Sequence, residues 1–355
     1  PLDKGEYEDR ALQLRQQLLQ IQFALENTVH PVIIVIAGLD GAGKGVLVHR
    51  INEWMDPRGI ETNTFWEHSD EEESRPFFWR FWRRLPARGQ IGIFLGSWYT
   101  KPAQRAIDEE IDKEGFAQYC QQIETFERML TDDGALVIKL WLHVSREAQK
   151  LQLQERAPGK QQNPRVTDMP YDLRGKYDKT IEVSEQLILA TDSSHSHWHL
   201  IEAEDRRYRD ISAGELILKA MLAREAKPEP DEDTRPGVDI DVLGPQPTVL
   251  DSVDLSLELS GDEYKEQLAK YQSRLQDLAW DAYRQNRSVV AVFEGWDAAG
   301  KGSAIRRVTR AIDPRLYRLI QFAAPTDEEN AHHYLWRFWR QLQRDGRCTF
   351  FDRSW

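Results

Sequence analysis

The sequence predicts a parallel α/β fold built twice in tandem, and three observations predict it. Residues 5–98 match residues 262–355 at a constant offset of 257 without a gap, with 29 of the 94 positions identical. Each copy sets a β-branched run directly ahead of a glycine-rich turn and a helical stretch. Strands that alternate with helices are joined by crossovers, and crossovers make a sheet parallel. At 355 residues the chain also exceeds one ordinary core, because single domains cluster near ~100–200 residues.

The elements follow in order. Residues 6–26 and 263–284 show helical spacing, with Leu12, Leu18, Leu19 and Phe23 in one copy and Leu268, Leu275 and Leu278 in the other on apolar faces. The β-branched runs Val32 to Ile36 and Val289 to Phe293 read as strands, the first as a buried one. Helices are predicted over Gly45 to Met55 and Gly302 to Ile312, each stopping before Asp-Pro (Asp56-Pro57, Asp313-Pro314), since a proline disfavours helix at the residue ahead of it. Arg80-Phe81-Trp82-Arg83 and Arg337-Phe338-Trp339-Arg340 interleave aromatics with arginines; the rings read as core and Arg337 and Arg340 as one face of a polyanion track. Later strands are expected at Ile91 to Leu95, Thr349 to Phe351 and, in the first copy, Leu136 to Val144. His195, His197 and His199 read as strand or loop residues, because no acidic or cysteine partner stands at metal-ligand spacing.

Between the copies, Lys227-Pro228-Glu229-Pro230, Asp231-Glu232-Asp233, Pro236-Gly237, Pro245 and Pro247 bury too little apolar surface to order a core. The expected layout is a first domain over 1–225, an acidic proline-rich linker over 226–250 and a second domain over 251–355. After Trp98 the first copy continues well beyond the point at which the second ends, so the second is expected to be a truncated copy.

Composition narrows the function. The longest apolar stretch, Val32 to Ala37, suits a strand and not a membrane span, and Cys120 and Cys348 are too few for a disulfide framework, so a soluble, cytoplasmic chain is expected. A formal charge of −12 argues against nucleic acid and anionic lipid as partners. Gly295 to Trp355 is an exception, with eleven Lys/Arg against seven Asp/Glu, a basic island in an acidic chain.

Two chemistry-bearing loops stand at equivalent places in the repeat, the second of them inside that island. Gly38-Leu39-Asp40-Gly41-Ala42-Gly43-Lys44-Gly45 and Gly295-Trp296-Asp297-Ala298-Ala299-Gly300-Lys301-Gly302 each satisfy G-x4-G-K after a strand and before a helix. Such a loop aims backbone N–H groups and a helix N-terminus at phosphate oxygens, with the lysine reaching the transferred group. The fold class is therefore a P-loop kinase-like parallel sheet flanked by helices, duplicated in tandem. Gly295, Ala298, Ala299, Gly300, Gly302 and Ser303 are the phosphate-binding candidates, joined by Arg337 and Arg340. Gly45 or Gly302 stands where a Ser/Thr metal ligand usually follows the lysine, so metal must be held elsewhere. Asp297 and Asp352 are the candidate metal ligands, and Mg²⁺ is the cofactor expected.

The second strand separates the copies. Phe351-Asp352-Arg353-Ser354-Trp355 puts an acid and a guanidinium at a strand's carboxyl end, where open α/β sheets bind ligands. The first copy reads Phe94-Leu95-Gly96-Ser97-Trp98, so it keeps Asp40, Gly43, Lys44 and Gly45 but only half a site. Asp297, Lys301, Asp352 and Arg353 are the expected catalytic set.

At G-W-D-A-A-G-K-G and F-D-R-S-W the sequence resembles the polyphosphate kinase 2 family, and the two-copy layout is similar to its tandem-domain class. The first copy's Thr191-Asp192 to Arg207 stretch, with Trp198, resembles the family's closing segment after its lid. The resemblance implies inorganic polyphosphate as donor, Mg²⁺ as cofactor and conversion of AMP to ADP. Three alternatives stay open: a polyphosphate kinase acting on nucleoside diphosphates, an ATP-dependent nucleoside monophosphate kinase of thymidylate-kinase type, and a first copy that only binds polyphosphate or serves as a scaffold. A homo-oligomer is also left open.

Overall fold

The computed structural model describes residues 2–26, 28–65, 68–155, 176–226, 249–296 and 298–355. The chain divides into two compact units, residues 1–224 with 324–342 and 355, and residues 225–323 with 343–354. The linker residues 227–248 lie outside the described residues.

In the first unit the order is α1 (Lys4–Leu25), β1 (Val32–Gly38), α2 (Lys44–Trp54), β2 (Ile60–Thr64), α3 (Asp70–Glu73), α4 (Trp79–Trp82), β3 (Ile91–Leu95), α5 (Thr100–Ile107), α6 (Lys113–Asp132), β4 (Leu136–His143), α7 (Arg146–Glu155), α8 (Tyr177–Thr191), β5 (Trp198–Glu202) and α9 (Arg206–Glu225). The five strands form one parallel sheet in the order β2-β3-β1-β4-β5. V-I-I-V-I can occupy the centre because a strand covered on both faces needs an unbroken apolar run, and all five of these residues are buried. The chain leaves β1 for the β2 edge, returns through β3 and then crosses to β4. The strand order thus reverses around β1, and the crevice at its carboxyl end is where this topology binds ligands.

The sequence reading missed β2. Its I-E-T-N-T is polar and half-exposed, and pairing with β3 rather than any apolar period makes it a strand. The lead helix also differs in detail: α1 buries Leu14, Leu18, Ile21 and Leu25, whereas the expected Leu12 and Phe23 are exposed. Apolar residues lie on two flanks of that helix, and only one flank meets the sheet.

The second copy repeats the element plan: α10 (Gly261–Arg284), β6 (Val289–Phe293), α11 (Lys301–Thr309), β7 (Tyr317–Gln321), α12 (Asp327–Asn330), α13 (Trp336–Trp339) and β8 (Cys348–Asp352). Its strands pair in parallel in the order β6-β8-β7, the counterpart of β1-β3-β2. The second unit's core is small: Ala279, Ile312, Leu316, Cys348 and Phe350, with Leu275, Trp280 and Phe293 against it. Local devices recur as well. Ser69 with Glu72 and Thr326 with Glu329 close matching capping boxes, and Asp56 and Asp313 each accept a hydrogen bond from the backbone N–H two residues on, at Arg58 and Arg315.

Residues 324–342 belong to the first unit. Trp339 stacks on the fully buried Trp82 with centroids 5.6 Å apart and planes 13° apart, His333 Nε2 lies 3.1 Å from the Met129 carbonyl, and Arg88 N donates to Ala331 O at 2.7 Å. Because 82 and 339 are equivalent repeat positions, the two W-R-F-W helices meet through the same residue.

Candidate active site

The second copy's loop starts where β6 ends. Gly295 has φ 147°, Ala298 φ 62° and Gly300 φ 83°, and Gly300 is the N-cap of α11. Positive φ at these positions, ahead of a helix N-terminus, is the backbone habit of loops that receive an anion. Lys301 curls back over the loop, its Nζ donating to Gly295 O at 2.7 Å and Trp296 O at 3.0 Å. Asp297 lies outside the described residues. Its counterpart Asp40 is described: Lys44 Nζ donates to Gly38 O at 2.7 Å, Leu39 O at 3.1 Å and Asp40 Oδ1 at 3.3 Å. In the first copy the loop acid therefore faces the loop lysine.

Strand register brings the strand-end residues to this cradle. β8 lies between β6 and β7, and Asp352 pairs across to Phe293 and to Gln321. Phe293 is two residues ahead of Gly295, so Asp352 and the loop leave neighbouring strand ends at one edge of the sheet. Arg353 N donates to Phe293 O at 3.1 Å, and Phe322 N donates to Asp352 O at 3.1 Å. Asp352 is half-buried and Arg353 exposed. Arg353 holds φ 70°, a left-handed conformation unfavourable for a non-glycine residue, and its counterpart Gly96 holds φ 74°.

Glu294 is a residue the sequence reading missed. Its Oε1 accepts from Ser354 N at 2.5 Å and Ser354 Oγ at 2.8 Å, tying the start of the loop to the end of β8. The signal was in the repeat: the equivalents of Glu294, Asp352 and Arg353 are Ala37, Leu95 and Gly96. All three charged residues that distinguish the second copy at these strand ends gather at one sheet edge.

Arg337 and Arg340 are already engaged. Arg337 Nη2 lies 3.5 Å from Glu329 Oε2, and Arg340 Nη1 lies 3.6 Å from Glu328 Oε2 while its guanidinium sits 4.3 Å over the Trp336 ring. A polyanion at these side chains competes with the two carboxylates. Ser303 and Gly302 are exposed in the first turn of α11, and Ala299 N is spent within the loop on Trp296 O at 3.2 Å.

Two buried charges of the first unit also escaped the sequence reading. Arg209, 2% exposed on α9, donates from Nη1 to Ala42 O at 3.3 Å and from Nη2 to Asp210 Oδ1 at 2.6 Å, bracing the first loop from beneath. A Cβ at Gly43 would lie 2.0 Å from Arg209 Nη1, and Gly43 has φ 84°, so this position requires glycine twice over. Lys139, fully buried on β4, donates to Glu127 Oε2 at 2.8 Å and Thr191 O at 2.7 Å, while Glu127 Oε1 accepts from Trp98 Nε1 at 2.9 Å and Tyr99 Oη at 2.5 Å. Burial lowers the Lys139 pKa, with Glu127 opposing that shift. Of the three histidines, His199 is on β5 and His197 Nδ1 lies 3.4 Å from Asp192 Oδ1.

A parallel sheet with a glycine-rich loop running from a strand's carboxyl end into a helix N-terminus, and charged residues on the neighbouring strand end, defines a phosphotransferase of the P-loop kind. The family model of polyphosphate kinase 2 (PPK2) matches residues 1–229 and 258–355, and the chain belongs to that family. It is 43% identical over 359 residues to a polyphosphate:AMP phosphotransferase of Pseudomonas aeruginosa, covering 100% of this chain and 72% of the relative. It is 30% identical over 351 residues to one of Acinetobacter johnsonii, covering 97% and 70%. A crystal structure described as polyphosphate kinase 2 from P. aeruginosa PA01 superimposes with a TM-score of 0.84 at 43% identity, over 100% of this chain and 70% of that one. Another, from Arthrobacter aurescens TC1, shares the fold with a TM-score of 0.58 at 23% identity, over 68% and 87%.

Proposed function

We propose that this chain transfers the terminal phosphoryl group of inorganic polyphosphate to AMP, giving ADP, and that the second copy carries the reaction. The observation that carries this reading is the gathering of Glu294, Asp352 and Arg353 at the strand ends beside the Lys301 loop, against Ala37, Leu95 and Gly96 in the first copy. The names of the full-length-matching relatives support the choice of donor and acceptor.

In-line phosphoryl transfer needs positioning and charge neutralisation more than covalent help. An oxygen of the AMP phosphate forms the new P–O bond, while the bond from the terminal phosphorus to its bridging oxygen breaks and leaves that electron pair on the shortened chain. Lys301 and the loop N–H groups hold the donor's terminal unit, and the Arg353 guanidinium takes the equatorial oxygens as charge spreads over them. Asp297 orients the acceptor oxygen or a metal ligand. The donor set suits Mg²⁺: Asp352 offers a hard carboxylate at the site. When bound there, Mg²⁺ would supply charge neutralisation. Arg337 and Arg340, in the first unit, are further candidates to bind polyphosphate, exchanging their carboxylate partners for phosphate. Among the described residues no helix is long and apolar enough to cross a membrane. We assign the enzyme to the cytoplasm, a reducing setting that its two buried free cysteines suit.

Donor choice tests the reading. AMP is supplied with Mg²⁺ and either polyphosphate or ATP, and ADP is followed. ADP from polyphosphate supports the proposal; turnover with ATP alone, or of ADP but not AMP, replaces it.

A further inference from the structure

At φ 70°, Arg353 holds a conformation that a residue with a Cβ disfavours about tenfold. The dihedral angles of a residue are set by how the two rigid peptide planes on either side of its Cα are turned, and here both planes are fastened from outside. Sheet pairing holds the plane ahead of Arg353: Phe322 N donates to Asp352 O and Arg353 N donates to Phe293 O, each at 3.1 Å. A side chain holds the plane behind it, because Glu294 Oε1 accepts from Ser354 N at 2.5 Å and from Ser354 Oγ at 2.8 Å.

The first copy keeps the first fastening and lacks the second. Phe65 N donates to Leu95 O at 2.9 Å, as Phe322 N does to Asp352 O, but the residue equivalent to Glu294 is Ala37, which has no side-chain acceptor. Residue 96 is then glycine, which holds φ 74° without the Cβ penalty. The repeat thus pairs glutamate with arginine in one copy and alanine with glycine in the other.

We propose that Glu294 is a positioning residue for Arg353, holding the peptide behind it so that an arginine keeps the left-handed conformation and its guanidinium stays at the strand end beside the Lys301 loop. This rests on the reading in which Arg353 takes phosphate oxygens. Without Glu294 the peptide between residues 353 and 354 turns, Arg353 relaxes to an ordinary φ, and its side chain leaves the strand end. Only the fraction of molecules that retain φ near 70° then binds phosphate with the arginine, and the affinity falls by that fraction. Direct contact between Glu294 and the donor is the poorer account, since a carboxylate repels phosphate, whereas two hydrogen bonds from Ser354 use its charge well.

Calorimetric titration of the full chain with tripolyphosphate in the presence of Mg²⁺ tests the proposal. Glu294→Ala should weaken binding about tenfold in the parent chain and less than about twofold in the Arg353→Gly background, where there is neither a guanidinium to place nor a Cβ penalty to offset. Glu294→Gln keeps an oxygen that accepts from Ser354, so it should recover all but about twofold of the loss. Equal losses from Glu294→Ala in both backgrounds, or no loss in either, would overturn the proposal. A loss with glutamine as large as with alanine would overturn it as well, because the charge itself, as a metal ligand, would then be the working feature. If Glu294→Ala does not fold, Glu294→Gln decides alone: binding within about twofold of the parent supports the proposal and a tenfold loss sinks it. Undiminished binding in Arg353→Gly would remove the arginine from the phosphate site and with it the reading on which the proposal rests. A chain that makes no ADP from polyphosphate, yet shows the expected coupling between residues 294 and 353, would refute the proposed reaction and leave the role of Glu294 standing.

Discussion

Arg353 carries its guanidinium on a backbone that glycine would occupy more easily. A left-handed φ of 70° costs a non-glycine residue about 1 kcal/mol, and glycine's greater freedom in the unfolded chain offsets a similar amount. Arg353→Gly, which copies Gly96, should therefore leave the urea midpoint nearly unchanged while ADP formation falls about a thousandfold, the scale of a lost transition-state arginine. Loss of stability in step with activity would mean that the arginine is structural. His68 offers a residue-scale test of a different kind. Its Nδ1 is buried without a hydrogen-bond partner among the described residues, and burial first, then Arg80 and Lys101, lower its pKa from 6.5 to about 4, with Glu72 opposing. The unfolded chain takes up this proton near pH 6.5 and the folded chain only near pH 4, so this contribution to stability is complete above pH 6.5 and is lost as pH falls towards 4. Urea midpoints across that window should drop less steeply in His68→Gln than in the parent chain.

At the scale of elements, the centre of the first sheet is fastened by a buried ion pair. Lys139 on β4 and Glu127 on α6 are 0% and 1% exposed and hold Trp98 and Tyr99 at the end of β3. Breaking one half of such a pair strands the other charge, so Glu127→Ala should lower stability by about 3–5 kcal/mol. Replacing both partners, Glu127→Leu with Lys139→Met, should recover most of that loss in the same denaturant titration; a double variant as unstable as the single one would show that the hydrogen bonds to Trp98 and Tyr99 matter more than the charges. The packing of α13 on α4 makes a second prediction. Trp82→Ala, at a fully buried ring, should cost about 3–5 kcal/mol, and Trp339→Ala, half-buried against it, about 1–2 kcal/mol. Calorimetry of the unfolding transitions measures both, and additive losses in the double variant would argue that the stack itself contributes nothing.

Over the whole molecule, the proposed division of roles has one copy keep the fold without the chemistry. Lys301→Ala should abolish ADP formation, whereas Lys44→Ala should leave most of it; equal losses in a turnover assay would overturn the division of roles. The first copy has Leu95 and Gly96 where the second has Asp352 and Arg353, and both copies form the parallel pairing, because those positions lie at a strand end, where backbone pairing is satisfied whichever side chain is present.

Repeat periodicity and the strand-loop-helix spacing made the fold class, the two glycine-rich loops and the strand-end position of Asp352 and Arg353 legible in the sequence, since each is a local pattern that backbone sterics and hydrogen bonding require wherever the motif folds. Glu294 was also within reach, as a charged residue where the other copy has alanine. β2 was not, because a polar edge strand exists only through its pairing with β3. Nor were Arg209 beneath Gly43, Lys139 with Glu127, or the carboxylates opposite Arg337 and Arg340, since charges far apart in the chain become partners only after burial removes water and leaves each needing the other. The sequence by itself determined which residues could handle phosphate; tertiary structure decided which of them share one sheet edge, because strand register, and no local rule, sets what stands beside a strand end.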